Sequence, residues 1–309
     1  MTDEGKVMSE LLITPCYFCS NNLERPSKNR RRINFGLIRS FYYCGYCKGY
    51  SLYPKLKATD FDTLYDDTYM EDVSCDSSSR NQLSRFDLVK SILSSEAENK
   101  FLKFLDYGCS AEAPLLVFGK GLGIECMGVE VSLSTRIAAN KASGCEILSP
   151  FDFSNSKLLF DFIFLGDVLE HVNNPQELLR ELGLHLEPYG LMIAQGPLDG
   201  SKSISNILVE IKSRILGGRE TIFPPYHVSL ASKKSMVNLF SNSKMEIITL
   251  NTKETWWPIS VSKLLKPIKY PGNLLLALAK VLDFVFWKFR LSSGSRYFIV
   301  ASRSLIKQD

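Results

Sequence analysis

Four of the eight cysteines stand in two C-x-x-C pairs, Cys16 with Cys19 and Cys44 with Cys47, with 24 turn-rich residues between them. Each pair can aim two thiolates at one metal ion, and two such turns close a tetrahedron around Zn²⁺. Protein would then fill all four positions, so the ion would be structural, since a catalytic zinc keeps one position open. Unconnected reduced cysteines are the bland reading, and a redox dithiol is disfavoured by the second pair and the lack of thioredoxin-like context. A second set of residues lies further on. Asp106, Gly108 and Ser110 break an apolar run, Phe101 to Leu105, and Glu130 stands 24 residues after Asp106 near the end of another, Cys126 to Val131. Glycine allows backbone N–H groups to approach a ligand, and a helix N-terminus behind such a turn favours an anionic group. An acid placed like Glu130 can accept both hydroxyls of a ribose. Of the three histidines, His171 and His227 lie in Pro-containing turn sequence, whereas His185 is expected to be exposed at a helix end.

These residues need a scaffold of strands and helices. The two apolar runs read as buried parallel strands, with apolar spacing from Ala111 to Lys120 predicting the helix between them. Strand, glycine turn, helix, strand and acid form the first half of a dinucleotide-type fold. An amphipathic helix is predicted over Arg80 to Ala97. Further helices fall at Ser134 to Ala142, Ser203 to Leu216 and Lys233 to Ser241. Strands follow at Cys145 to Leu148, Phe160 to Leu165, Glu246 to Leu250 and Tyr297 to Ala301, the last antiparallel. Lys28-Asn-Arg-Arg-Arg32 is placed on a hairpin loop between the cysteine pairs, and Gly45 is expected to ease the second knuckle.

G-x-G-x-x-G is absent, which argues against a nicotinamide or flavin site. Asp106-x-Gly108-Cys109 with Gly128-Val129-Glu130-Val131-Ser132 instead resembles class I S-adenosylmethionine (SAM) methyltransferases. That family usually carries D-x-G-x-G-x-G here; this chain has Ser110 at the second glycine and Glu112 at the third. The resemblance implies a cofactor site formed by Asp106, Gly108, Cys109, Ser110, Glu130 and Val131. Asp152 would bond the adenine amino group with Phe153 against the ring, and Gly166 and Asp167 would lie at the carboxyl edge of the fourth strand. The run LEHV-x-x-P, a helix with Leu178, Leu179 and Leu182, and Leu186-Glu-Pro-Tyr-Gly190 is similar to the same family's small-molecule members. It implies that His171 lies near the reacting centre. Pro-Tyr226-His227 before a final helix resembles the loop bordering the acceptor, which makes Tyr226 and His227 general-base candidates.

The cysteine pairs, Pro54, Tyr65 and Tyr69 together resemble the lead-in of zinc-ribbon methyltransferases from bacterial glycan and natural-product pathways. The expected architecture is therefore α/β: a Rossmann-like, seven-stranded, mostly parallel class I methyltransferase sheet preceded by a small zinc ribbon. Residues 1–57 form the ribbon, 58–99 a linker and helix, and 100–309 the methyltransferase domain with an apolar insertion at 256–295. The implied reaction is methyl transfer from SAM to a small acceptor such as a nucleotide-linked sugar or glycan precursor. Two other classes stay open. One is a scaffold protein on a degenerate fold, suggested by Ser110 and Glu112. The other is a ribbon-guided RNA or protein methyltransferase, suggested by the basic run but not by the sequence after the fourth strand, which is Gly166-Asp-Val-Leu.

Charge and composition limit the partners. The net charge is +4, and residues 1–57 hold ten Lys or Arg against four Asp or Glu, so the remainder sums to −2. That distribution does not suit a uniformly basic nucleic-acid binder. The polar start, MTDEGKVMSE, has no signal-peptide core, and with the C-x-x-C pairs it leads to the expectation of a cytoplasmic protein. Residues 274–289 are apolar except for Lys280, Asp283 and Lys288. At helical spacing they could dock on the core, on a second copy in a homodimer, or peripherally on a membrane surface, a role that Lys263, Lys266 and Lys269 would assist.

Overall fold

Phe104, Leu105 and Asp106 are all buried, because β4 (Lys103–Tyr107) is covered on both faces. That is why the strand reads as a continuous apolar run and not as an alternation. The computed structural model describes residues 14–23, 26–34, 37–57, 60, 86–96, 101–201, 203–215, 226–255 and 271–304. In chain order the earlier elements are β1 (Pro26–Asn34), β2 (Leu37–Tyr43), β3 (Tyr50–Tyr53) and α1 (Asp87–Glu96). After β4 come α2 (Pro114–Gly121), β5 (Glu125–Val129), α3 (Leu133–Ser143), β6 (Glu146–Leu148), α4 (Pro150–Ser154) and β7 (Phe160–Gly166). A 3₁₀ turn, Leu169–His171, leads to α5 (Pro175–Leu184), β8 (Leu186–Pro197), α6 (Ile204–Ile215) and β9 (Ser229–Leu230). The chain closes with α7 (Lys233–Asn242), β10 (Met245–Lys253), α8 (Pro271–Lys288) and β11 (Arg296–Arg303).

The main sheet has seven strands in the order β10-β11-β8-β7-β4-β5-β6. The four pairings from β8 across to β6 are parallel, and β11 runs antiparallel between β8 and β10. Strand order reverses between β4 and β7, so the carboxyl ends of those strands open a crevice, the usual ligand position in such sheets. One face packs Leu105, Ile163, Leu165 and Met192 against Leu179 and Leu182 of α5 and Met236 and Leu239 of α7. The other packs Phe104, Phe162, Phe164 and Ile193 against Val89 and Leu93 of α1 and Leu115 and Leu116 of α2. Each such side chain contributes roughly 1.5–3 kcal/mol by leaving water.

Most predicted elements appear with ends shifted by a few residues. The first strand begins at Lys103 and leaves Phe101 exposed. Its helix starts at Pro114, since proline suits the first turn, where an N–H has no helical partner anyway. Three readings need correction. Lys28 to Arg32 lie within β1, not on a loop, because backbone pairing to β2 runs through Arg31↔Ser40 and Arg32↔Arg39. His185 is buried, with Nδ1 2.8 Å from the Leu158 carbonyl oxygen. Leu274 to Lys288 is helical, but its buried residues, among the side chains described, are Ala279, Lys280 and Asp283 and not the large apolar ones. Tyr65 and Tyr69 lie outside the described residues.

The ribbon sheet is not confined to the N-terminal segment. Its order is β1-β2-β3-β9, so its fourth strand comes from the residues that follow His227.

Candidate active site and metal centre

The two C-x-x-C turns share one backbone pattern. Cys16 and Cys44 N–H groups donate to Asn21 and Gly49 carbonyls, and Ser20 and Lys48 N–H groups donate back to the Cys16 and Cys44 carbonyls. Ser20 and Lys48 carry the left-handed backbone, at φ 59° and 67°, so Lys48 and not Gly45 makes the second knuckle. The turns bring all four sulfurs within 4.8 Å of one another, with Cys16–Cys47 at 3.5 Å and Cys19–Cys44 at 3.6 Å. A tetrahedron with Zn–S bonds of about 2.3 Å has edges of about 3.8 Å, so the donor set and its size fit zinc. The thiols are buried. The Cys47 thiol beside Cys16 pulls that pKa down to about 5, while burial pushes Cys19 up to about 11 and the Cys16 partner raises Cys47. A bound cation would favour the thiolate form of this cluster.

At the crevice, Gly108 sits at φ 82°, and a Cβ there would stand 2.7 Å from Val168. Glycine is required on both counts. Gly108 and Cys109 N–H groups donate to the Val129 carbonyl, which ties the β4 turn to the end of β5. Glu130 then follows β5 and accepts from the Val131 N–H at 2.8 Å and the Ser110 N–H at 3.2 Å. Ser110, at φ 59°, occupies the bend where the family usually has glycine. Glu112 is exposed just ahead of α2. Burial raises the Glu130 pKa, and burial, together with the nearby Glu130, pushes Asp106 up to about 8. Two carboxyl groups, Asp106 at the end of β4 and Glu130 after β5, thus converge on this turn, an arrangement suited to a ligand that carries hydroxyls and positive charge.

Beyond β6, Ser149 caps α4 by accepting from the Asp152 N–H at 3.1 Å, and its hydroxyl donates to the Asp152 carboxylate at 2.5 Å. Asp152 therefore stands at the sheet's carboxyl edge with one oxygen engaged in a cap. Phe153 is not beside it in the crevice. That ring is fully buried among Tyr107, Phe160 and His185, one residue round the helix, while Phe151 is the exposed aromatic. Gly166 ends β7, and Asp167, at φ 55°, ion-pairs with Arg296 at 2.5 Å.

A cluster of histidines is built where the 3₁₀ turn, the end of β8 and the start of β9 meet. The His171 and Tyr226 rings stack at 5.0 Å, and His227 meets His171 edge-on at 5.0 Å. Asp199, just past β8, places a carboxylate oxygen 3.3 Å from His227 Nδ1. Burial and the neighbouring His227 hold His171 well below its ordinary pKa, so it is neutral at cellular pH. Glu170 is buried beside His171, at 3.9 Å from Nε2. Thus the three residues predicted from distant parts of the chain come together.

Asp199, Glu170 and Arg296 were not foreseen. Asp199 could have been found as an acid just past a strand's carboxyl end; Arg296 carried no local signal, because its partner is 129 positions away.

A methyltransferase-domain family model matches residues 80–250, more than half of the chain. The chain belongs to that family. It is a SAM-dependent methyltransferase on a class I Rossmann-like fold. No curated protein matches the methyltransferase in sequence. Among solved structures, magnesium protoporphyrin IX methyltransferase from Synechocystis PCC 6803 with bound SAH superposes with a TM-score of 0.54 at 12% identity. That match covers 80% of this chain and 100% of the other. A SAM-dependent methyltransferase from Archaeoglobus fulgidus gives 0.45 at 15% identity, covering 73% and 100%.

Proposed function

We propose that this methyltransferase acts on a hydroxyl of a small acceptor, a nucleotide-linked sugar or other glycan or natural-product precursor, and that its four cysteines hold a structural Zn²⁺. The observation that carries the acceptor chemistry is the convergence of His171, Tyr226 and His227 beside the carboxyl edge of β7, with Asp199 3.3 Å from His227 Nδ1. Asp106, Gly108, Ser110 and Glu130 would hold the cofactor, and Asp152, Gly166 and Asp167 continue that edge. When bound, SAM supplies an electrophilic methyl group on a sulfonium leaving group.

The protein's own task is alignment and handling of one proton. The Asp199 carboxyl group, 3.3 Å from His227 Nδ1, helps orient that ring, and His227 is the residue placed to take the acceptor's proton. His171, kept neutral, offers a second acceptor and a wall for the pocket. Tyr226 stacks on that ring and fixes its plane.

The test joins calorimetric SAM binding to an acceptor screen with methyl-labelled SAM. Label transfer to hydroxylated sugar nucleotides or related glycan precursors supports the reading. Transfer only to RNA or protein, or SAM binding without transfer to any acceptor class, overturns it.

A further inference from the structure

Two of the three charged residues of α8 face the protein. Asp283 accepts from the Ile204 and Ser205 N–H groups at the start of α6, at 2.7 and 3.0 Å. Lys280 donates to Glu254 at 3.0 Å, both buried. Trp287 donates its indole N–H to the Thr252 carbonyl at 2.9 Å. These contacts fix which side of the helix is inner. The outer side carries Leu278, Val281, Leu282, Val285, Phe286 and Phe289, spaced three and four apart, and all exposed, Phe289 to 71%. On the adjoining α6, Ile207 and Ile211 are exposed one turn apart and widen the patch. Water-exposed apolar stripes of this kind mark a docking face.

Charge decides the occupant. Between Thr255 and Gln308 the sequence holds nine Lys or Arg and one acid, Asp283, buried and bonded to α6; Lys280 and Arg296 are ion-paired with Glu254 and Asp167, which leaves seven cations for the surface. Lys288 and Arg290 are exposed beside the end of the stripe. A self-complementary dimer face would bring these like charges together, whereas an anionic surface neutralises them. No described helix is long and apolar enough to cross a membrane, so the contact lies in the plane of the surface. We propose that the outer face of α8, with α6 beside it, seats this methyltransferase peripherally on an anionic phospholipid surface.

The experiment is co-sedimentation of the full chain with vesicles of phosphatidylcholine alone or mixed with phosphatidylglycerol, at low and high salt. Binding is expected only to the mixed vesicles, weakened at least tenfold by high salt, by Val285→Glu/Phe289→Glu and by Lys288→Glu/Arg290→Glu. The charge pair leaves the stripe intact, and both variants are checked for unchanged melting temperature and SAM affinity. Binding to neither vesicle, equal binding to both, or binding unaffected by either folded variant overturns the proposal. So does a stable dimer by light scattering that the Val285→Glu/Phe289→Glu variant dissolves while wild type ignores the vesicles.

Discussion

The Leu52 N–H of the ribbon donates to the Val228 carbonyl at 2.9 Å, one residue beyond His227. The Val228 N–H in turn donates to the Glu170 carbonyl at 2.8 Å, one residue before His171. The ribbon is therefore part of the wall that sets the two histidines against each other. Its seating is specific: Ser232 donates to the Cys47 carbonyl at 2.9 Å, Gln176 to the Tyr17 carbonyl at 3.1 Å and Asn173 to the Leu56 carbonyl at 2.7 Å. A Cβ on Gly49 would collide with Phe18 and Ser235, so the second knuckle lies directly on α7.

Zinc should accordingly be present in equimolar amount in purified protein and absent from a Cys16→Ser/Cys44→Ser variant. Chelation should lower turnover through the Val228 contact while SAM affinity is retained. Elemental analysis with calorimetry before and after chelation checks both parts. Metal-free wild type would refute the assignment.

Glu130→Ala should weaken SAM binding more than Asp167→Ala does. A charge-assisted hydrogen bond is worth roughly 1.5–3 kcal/mol, which corresponds to about ten- to 150-fold in affinity. Asp167 is engaged by Arg296, so its removal should show chiefly as lost thermal stability. Equal SAM affinity of wild type and folded Glu130→Ala would remove Glu130 from the site.

The Asp106 carboxyl makes a pH prediction whose sign is fixed. Its folded pKa, about 8, lies above the ordinary carboxylate value, so the folded state binds a proton that the unfolded state has lost. The cofactor-free protein should lose stability as pH rises from about 4 to about 8, and Asp106→Asn should flatten that slope. Melting temperatures across this range decide it, and identical slopes for wild type and variant would contradict the assignment.

His227→Asn or His171→Asn should cost about 10²- to 10⁴-fold in turnover if that residue is the base, with SAM affinity unchanged. The low pKa of His171 places an acid limb governed by that residue well below 6.5, so the limb separates the two histidines. Turnover within a factor of about three of wild type in both variants would leave alignment alone as the source of rate.

Glu254→Gln should destabilise the protein by about 3–5 kcal/mol, because Lys280 would remain buried without a countercharge. Asp283→Ala should cost about 0.5–2 kcal/mol by uncapping α6. Denaturant melts of the two variants test the order, and a smaller loss in Glu254→Gln would reverse it.

Residue order alone specified the cysteine knuckles, the glycine turn after β4, the acid after β5 and the alternation of strands and helices. Each of these depends on neighbours within a few positions: a C-x-x-C turn, a left-handed glycine and a buried strand carry their cause locally. The pairing of Asp167 with Arg296, of Asp199 with His227 and of Lys280 with Glu254 joins residues 26 to 129 positions apart, and no local pattern marks them. Helical spacing gave α8 its length but not its inner face, because an apolar stripe reads the same whether it turns toward the core or toward solvent. Only packing showed that Phe153 is core, that β9 completes the ribbon sheet and that Lys280 and Asp283 of α8 are buried. Burial, set by the whole fold, decides which polar group keeps a partner and which apolar group stays wet.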